Sequence, residues 1–247
     1  MIEEFTAIVP APAGAEERIV SVYIPKDGRP CAVLYLFDGQ TAFFDERSPY
    51  GGSLRLGEFL DANGIPLLVV GVACDRKNRL TEYSPFPFRV NENIVSEGKG
   101  KVFMDWLTGT LKPHIDGRYG THFDRAHTFI MGSSMGGLMA MYALAEYGHI
   151  FSRAVSMSAA VWTDPEKSAA FVKKFAPDAA LYFDYGTAEM SALFPNQRPA
   201  LAAVRAALGE WGGEYVFEMI RGAKHTEKAW RKRLPAAMRF LGFTVRD

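Results

Sequence analysis

Cysteine is scarce in this chain, with two residues, Cys31 and Cys74, among 247. Both sit in apolar strand-like runs without Cys-x-x-Cys or Cys/His ligand spacing, so they read as buried thiols and not as a disulfide framework or a metal site. Long hydrophobic runs are also missing: nowhere do about 18 apolar residues follow one another, which leaves no candidate membrane-spanning helix. The start, Met1-Ile2-Glu3-Glu4-Phe5, has neither the basic region nor the apolar stretch of a secretory leader. Charge of one sign is not in excess, because 28 Lys plus Arg balance 28 Asp plus Glu. No global field therefore attracts nucleic acid or an anionic membrane. These absences leave the expectation of a soluble cytoplasmic protein with a small-molecule partner.

What is present is apolar residue, 48% of the chain, enough to bury a large core. Short strand-like runs alternate with helical patterns, which predicts an α/β fold with a mostly parallel central sheet and helices on both faces. Strands are expected at residues 18–24, 31–37, 67–73, 127–131, 153–157, 180–185 and 215–220. Helices are expected at 54–62, 101–115, 138–147, 165–175, 199–211 and 226–241. The segment before Pro25 should add an antiparallel edge, and Pro235 should kink or break the last helix. Without a repeat, low-complexity tract or linker, residues 1–247 read as one domain. The stretch from Asp75 to about Gly98 reads as a long loop of the kind that is functional or mobile.

The strand-like run ending at Ile130-Met131 meets the helix-like run from Leu138 through Gly132-Ser133-Ser134-Met135-Gly136. A Gly-x-Ser-x-Gly turn between a strand and a helix is the nucleophile elbow of an α/β-hydrolase, and it makes Ser134 the candidate nucleophile. Ser133 occupies the x position and reads as structural. The Met135 N–H, at the helix start, is the natural first oxyanion donor. The second is assigned to Gln40 N–H in Asp38-Gly39-Gln40, which follows the strand ending at Phe37; a plain Asp-Gly turn is the competing reading. A side chain at Gly39 would crowd an approaching acyl group.

The base and the acid should follow later strands in the chain order Ser, acid, His. His225, in the loop after residues 215–220, fits the base, with Thr226 able to cap the helix behind it. His114, His122, His127 and His149 read as surface histidines. Glu189, beyond a strand end and a glycine turn, is the first candidate for the acid, with Asp184 and Asp178 as the others. Phe43, Phe44, Phe86, Phe88 and Trp162 follow strand ends and are candidate pocket walls, each with core packing as the alternative. Arg79 and Glu82 read as an ion pair stapling the long loop, with binding of a polar substrate group as the alternative.

Several segments together, Leu36-Phe37-Asp38-Gly39-Gln40, Tyr50-Gly51-Gly52, Thr81-Glu82-Tyr83-Ser84-Pro85, Leu111-Lys112-Pro113-His114-Ile115-Asp116, Gly132 to Leu138 and Gly222-Ala223-Lys224-His225, resemble the esterase D and enterochelin-esterase group of α/β-hydrolases. The resemblance spans about Val33 to Leu241. It implies a carboxylic-ester hydrolase with a Ser-acid-His triad and no metal or organic cofactor, acting on small acyl, aryl or siderophore-type esters. An acyltransferase, an S-formylglutathione-type thioesterase and an inactive scaffold share the same fold. Two departures from the group stand out. The chain has no room for the extra N-terminal domain of cytoplasmic enterochelin esterases, and Ser133 replaces the His that usually precedes the nucleophile in S-formylglutathione hydrolases.

Overall fold

Alternation along each short apolar run sends its side chains to opposite faces of a sheet, so a sheet covered on both sides needs apolar residues at every position. Strand β3 (Ala32–Leu36) meets that demand, with all five residues buried. Val33 and Tyr35 enter one apolar cluster while Ala32, Leu34 and Leu36 enter the other. The computed structural model describes residues 1–11, 14–26, 31–48, 51–190, 194 and 196–246. Tyr50, one of the residues carrying the family resemblance, lies outside them.

The chain begins with an antiparallel pair, β1 (Ile2–Ala11) and β2 (Gly14–Tyr23), in which Ile2 opposes Tyr23 and Ala11 opposes Gly14. After β3 come α1 (Leu56–Asn63) and β4 (Leu67–Val72). The stretch expected as a long loop carries a one-turn helix α2 (Arg79–Glu82) and two short paired strands, β5 (Phe88–Arg89) and β6 (Val95–Ser96). Helix α3 (Gly100–Trp106) continues through a π-helical turn at Leu107–Leu111 into α4 (Lys112–Tyr119), longer than the pattern predicted. Then follow β7 (Thr128–Ser133), α5 (Met135–Glu146), β8 (Arg153–Met157), α6 (Pro165–Val172), β9 (Ala180–Gly186), α7 (Gln197–Trp211) and β10 (Glu214–Ile220). The last predicted helix is two, α8 (Glu227–Arg231) and α9 (Leu234–Phe240), with Pro235 in the first turn of the second, where its missing N–H costs nothing.

The eight-stranded sheet has the order β1-β2-β4-β3-β7-β8-β9-β10. It is antiparallel at β1–β2 and β2–β4 and parallel from β4 to β10. One face packs against α3, α5, α6 and α7 through residues such as Phe103, Leu138, Phe171 and Val204. The other packs against α1, α8 and α9 through Leu56, Leu60, Trp230, Leu234 and Met238. This is the α/β-hydrolase architecture. No described helix is long and apolar enough to cross a membrane. Cys31 and Cys74 are both buried.

Candidate active site

In a parallel sheet the ligand crevice opens at the carboxyl ends of the strands, and backbone strain collects there in this protein. Among the described residues four non-glycines have positive φ, and three of them, Asp38, Ser134 and Ser158, follow β3, β7 and β8. Ser134 joins the last residue of β7 to the first of α5 with φ 57° and ψ −121°. A residue with a Cβ holds such a conformation at a cost of about 1–3 kcal/mol, so the surroundings must enforce it. They do so through close packing: a Cβ on Gly132 would lie 2.4 Å from the Gly136 carbonyl carbon, and one on Gly136 2.9 Å from Phe37 Cβ. Ser134 N–H also donates to the Met157 carbonyl at 2.9 Å, and Ala160 N–H donates to the Ser134 carbonyl at 3.0 Å. Met135 is the first residue of α5, so its N–H has no partner within the helix.

Ser134, Ser133, His225, Thr226, Glu227 and Trp230 share the wall of a cavity of about 310 Å³ with Thr41, Asp38 and Arg79. Ser133 thus borders the cavity as well as ending the strand. Ser134 Oγ is not hydrogen-bonded to the imidazole in this arrangement. Thr226 caps α8, its hydroxyl accepting from Ala229 N–H at 3.3 Å, which anchors the backbone beside His225.

His225 Nδ1 lies 2.8 Å from Glu189 Oε2. Glu189 ends a 3-10 turn, Thr187–Glu189, directly after β9. Its other oxygen, Oε1, accepts from Ser158 Oγ–H at 2.7 Å, Gly186 N–H at 2.9 Å and Arg233 Nη2 at 2.9 Å. Burial alone would raise the Glu189 carboxyl, but hydrogen bonds from His225, Arg233 and Ser158 outweigh it and hold the group below the usual glutamate range. The strained Ser158 is the hub of this network, accepting from Trp230 Nε1 at 2.8 Å and Arg233 Nη1 at 2.9 Å while donating to Glu189. Asp184 does not reach His225. It lies within β9, fully buried, bonded by Arg233 Nη1 at 2.6 Å and Tyr182 Oη at 3.0 Å. Burial outweighs those partners and pushes its carboxyl up to about 6. Asp178, the third acid considered, pairs with Arg125 at 2.7 Å, away from the cavity.

Gln40 is the second residue of a 3-10 turn, Gly39–Thr41, whose first closing bond is Thr41 N–H to the Asp38 carbonyl at 2.8 Å. Its side chain leaves the Ser134 cavity, donating to Asp38 Oδ1 and Cys74 Sγ, both at 3.2 Å, and accepting from Cys74 N–H at 3.1 Å. Only the backbone of Gln40 could serve an oxyanion. Gly39 is required for a reason the sequence did not suggest: a Cβ there would lie 2.3 Å from the Gly71 carbonyl carbon of β4. The turn is pressed against the sheet, and that contact, apart from any acyl group, already bars a side chain.

Among the aromatic candidates Phe43, Phe86 and Phe88 are buried core residues, and the half-buried Phe44 and Trp162 pack against the core. Phe43 packs with Tyr23 and Phe44, Phe86 stacks on Phe171 at 6.0 Å between centroids, and Trp162 lies between Phe88 and Phe194. None borders the Ser134 cavity. Arg79 and Glu82 do not pair with each other. Arg79 forks onto Asp38 at 2.6 and 2.7 Å, and Glu82 accepts from Arg18 at 2.9 Å. The loop is stapled by two ion pairs to β2 and the post-β3 turn instead of one within itself. The residues missed by sequence reasoning are Ser158, Trp230, Arg233, Asp38 and Glu227.

The chain is similar to known proteins in sequence and in fold. The chain is 23% identical over 240 residues to the uncharacterized protein YbbA of Bacillus subtilis strain 168, covering 92% of this chain and 93% of that one. Its fold is similar to that of the BES protein from Bacillus cereus, with TM-score 0.72 and 16% identity over 98% of this chain and 95% of that one. It is also similar to an IroE-like serine hydrolase from Shewanella oneidensis, with TM-score 0.72 and 18% identity over 97% of this chain and 79% of that one. The model of the family described as "Putative esterase" matches residues 13–241, and the chain belongs to this family of ester hydrolases.

Proposed function

We propose that this esterase hydrolyses small carboxylic esters through an acyl-enzyme on Ser134, with His225 as general base and Glu189 as the residue that orients it. The observation carrying the proposal is that a serine in a strained strand-to-helix turn shares one cavity with an imidazole whose Nδ1 is held at 2.8 Å by a buried carboxylate. A carboxylate at Nδ1 leaves Nε2 as the basic nitrogen and stabilises the imidazolium.

In the first half-reaction Ser134 Oγ attacks the ester carbonyl and its proton passes to His225 Nε2, a contact that tightens when substrate is seated. The negative oxygen that develops is met by the N–H groups of Met135 and Gln40, aided by the N-terminal end of α5. The carbonyl carbon–oxygen bond to the alcohol then breaks, and the imidazolium gives its proton to the departing oxygen. In the second half water attacks the acyl carbon, His225 takes the water proton, and collapse returns that proton to Ser134 Oγ with release of the acid. The cavity volume of about 310 Å³ suits a small ester.

The test is hydrolysis of p-nitrophenyl acetate by Ser134→Ala. Loss of the nucleophile should lower kcat by about 10⁴- to 10⁶-fold with the fold retained. Turnover at the unmodified protein's rate would reject Ser134 as nucleophile.

A further inference from the structure

Six acidic side chains are buried among the described residues: Asp38, Asp75, Glu82, Asp184, Glu189 and Glu227. Five have an arginine. Arg79 serves Asp38, Arg18 serves Glu82 and Asp75, and Arg233 serves Asp184 and Glu189. Glu227 is the exception. It is 5% exposed, and apart from its own backbone N–H its carboxyl group has no hydrogen-bond or ion-pair partner among the described residues. It borders the Ser134 cavity.

A buried carboxylate without an ion-pair partner is costly to keep, and burial raises the Glu227 carboxyl above its usual range, with its own backbone N–H and the charges of His225 and Arg79 offsetting this only in part. Helix capping does not account for it. Helix α8 has five residues and is already capped by Thr226, so its dipole has little to offer. The cation in the wall is committed elsewhere, since Arg79 spends Nε and Nη2 on the two oxygens of Asp38. The cavity therefore presents one acid that makes no ion pair, only partly offset by the charges of Arg79 and His225, in a wall it shares with the indole of Trp230.

We infer that Glu227 is the receptor for a positively charged ammonium group on the alcohol portion of the ester, which makes cationic amino-alcohol esters the preferred substrate class. The inference rests on the proposed Ser134–His225 mechanism. His225 must face the departing oxygen to protonate it, so the alcohol lies along the His225 wall. Glu227, two residues further along the same segment, meets whatever the alcohol carries. A protonated amine would donate to the carboxylate, and the Trp230 ring in the same wall offers its π face to the same charge.

The substrate pair that isolates the charge is 2-(dimethylamino)ethyl butanoate, protonated at neutral pH, and 3-methylbutyl butanoate, its near-isosteric neutral counterpart. The unmodified protein should show a kcat/KM at least about ten-fold higher for the cationic ester, the effect of one charge-assisted hydrogen bond. In Glu227→Gln the ratio of the two esters should fall at least several-fold, toward the ratio set by the ammonium group's own activation of the leaving alcohol. Equal rates on both esters in the unmodified protein would overturn the inference, as would a Glu227→Gln variant that keeps the preference. Should the variant not fold, competitive inhibition of the unmodified protein by protonated N,N-dimethylethanolamine against 3-methyl-1-butanol decides the matter, with equal inhibition counting against. Ser134-dependent hydrolysis of both esters without a cationic preference would remove this inference alone. Hydrolysis surviving Ser134→Ala would remove the mechanism beneath it.

Discussion

Arg233 Nη2 donates at 2.9 Å to the Glu189 oxygen that His225 does not use. The guanidinium also reaches Asp184 at 2.6 Å, so one cation that is 4% exposed neutralises two buried carboxylates. Arg233→Met should unfold at lower urea concentration, by about 3–5 kcal/mol, because removing one partner of a buried pair strands the other. It should also lower kcat for ester hydrolysis, since Glu189 would lose a donor that fixes its orientation. Combining it with Asp184→Asn should recover part of the stability loss. Additive losses in the double variant would contradict the coupling.

His225→Ala should cost nearly as much kcat as Ser134→Ala, and the double variant should be little worse than either alone, because nucleophile and base act as a unit. Steady-state kinetics on p-nitrophenyl acetate measures this, and multiplicative losses would separate the two residues.

Glu189→Gln should slow hydrolysis far more than Asp184→Asn, because only Glu189 touches His225. The same variant makes a pH prediction. The folded Glu189 carboxyl lies below its ordinary value, so as pH falls the unfolded chain takes up the proton first. Its stabilisation is complete above about pH 5 and disappears as pH drops through the lowered folded value. Urea titrations should therefore show Glu189→Gln less stable near neutral pH, with the two stability curves converging toward acid. Parallel curves would mean that Glu189 is not held as an anion.

Gly39→Ala should destabilise the protein and depress activity, because its Cβ would meet the Gly71 backbone at 2.3 Å and push the post-β3 turn off the sheet. Gly117 is the internal control. It lies inside α4, where an added methyl would meet nothing within 4 Å, so Gly117→Ala should raise stability by roughly 0.5–1 kcal/mol. Thermal denaturation of the two variants should move in opposite directions.

The parts of the candidate site that were legible in the sequence are those with a local signature. Ser134 sits between glycines at a strand-to-helix junction, Glu189 follows a glycine turn after a strand, and His225 follows the last strand before an amphipathic run. The supporting groups carry no such mark because their partners are distant in the chain. Ser158 and Glu189 are 31 residues apart, Arg79 and Asp38 are 41, and Arg233 and Glu189 are 44. Arg233 lies in the run read as a helix over 226–241, two residues before the Pro235 that was expected to kink or break it. The break before α9 is what puts this cation at a helix start, buried against β9. Aromatic residues after strand ends gave no reliable pointer to the cavity, because Phe43, Phe86 and Trp162 satisfy their burial against other rings. Most strand and helix positions followed from apolar periodicity, whereas the order of the strands in the sheet is set by contacts between distant segments and the split of the last helix followed from Pro235.

A fluorophosphonate should capture the nucleophile that forms the acyl-enzyme, and peptide mass spectrometry of the treated protein locates it. One phosphonyl adduct is expected, on the peptide containing Ser134, with ester hydrolysis lost in step with labelling and no adduct in Ser134→Ala. An adduct on another residue, or full hydrolytic activity in a protein labelled at Ser134, would contradict Ser134 as the nucleophile.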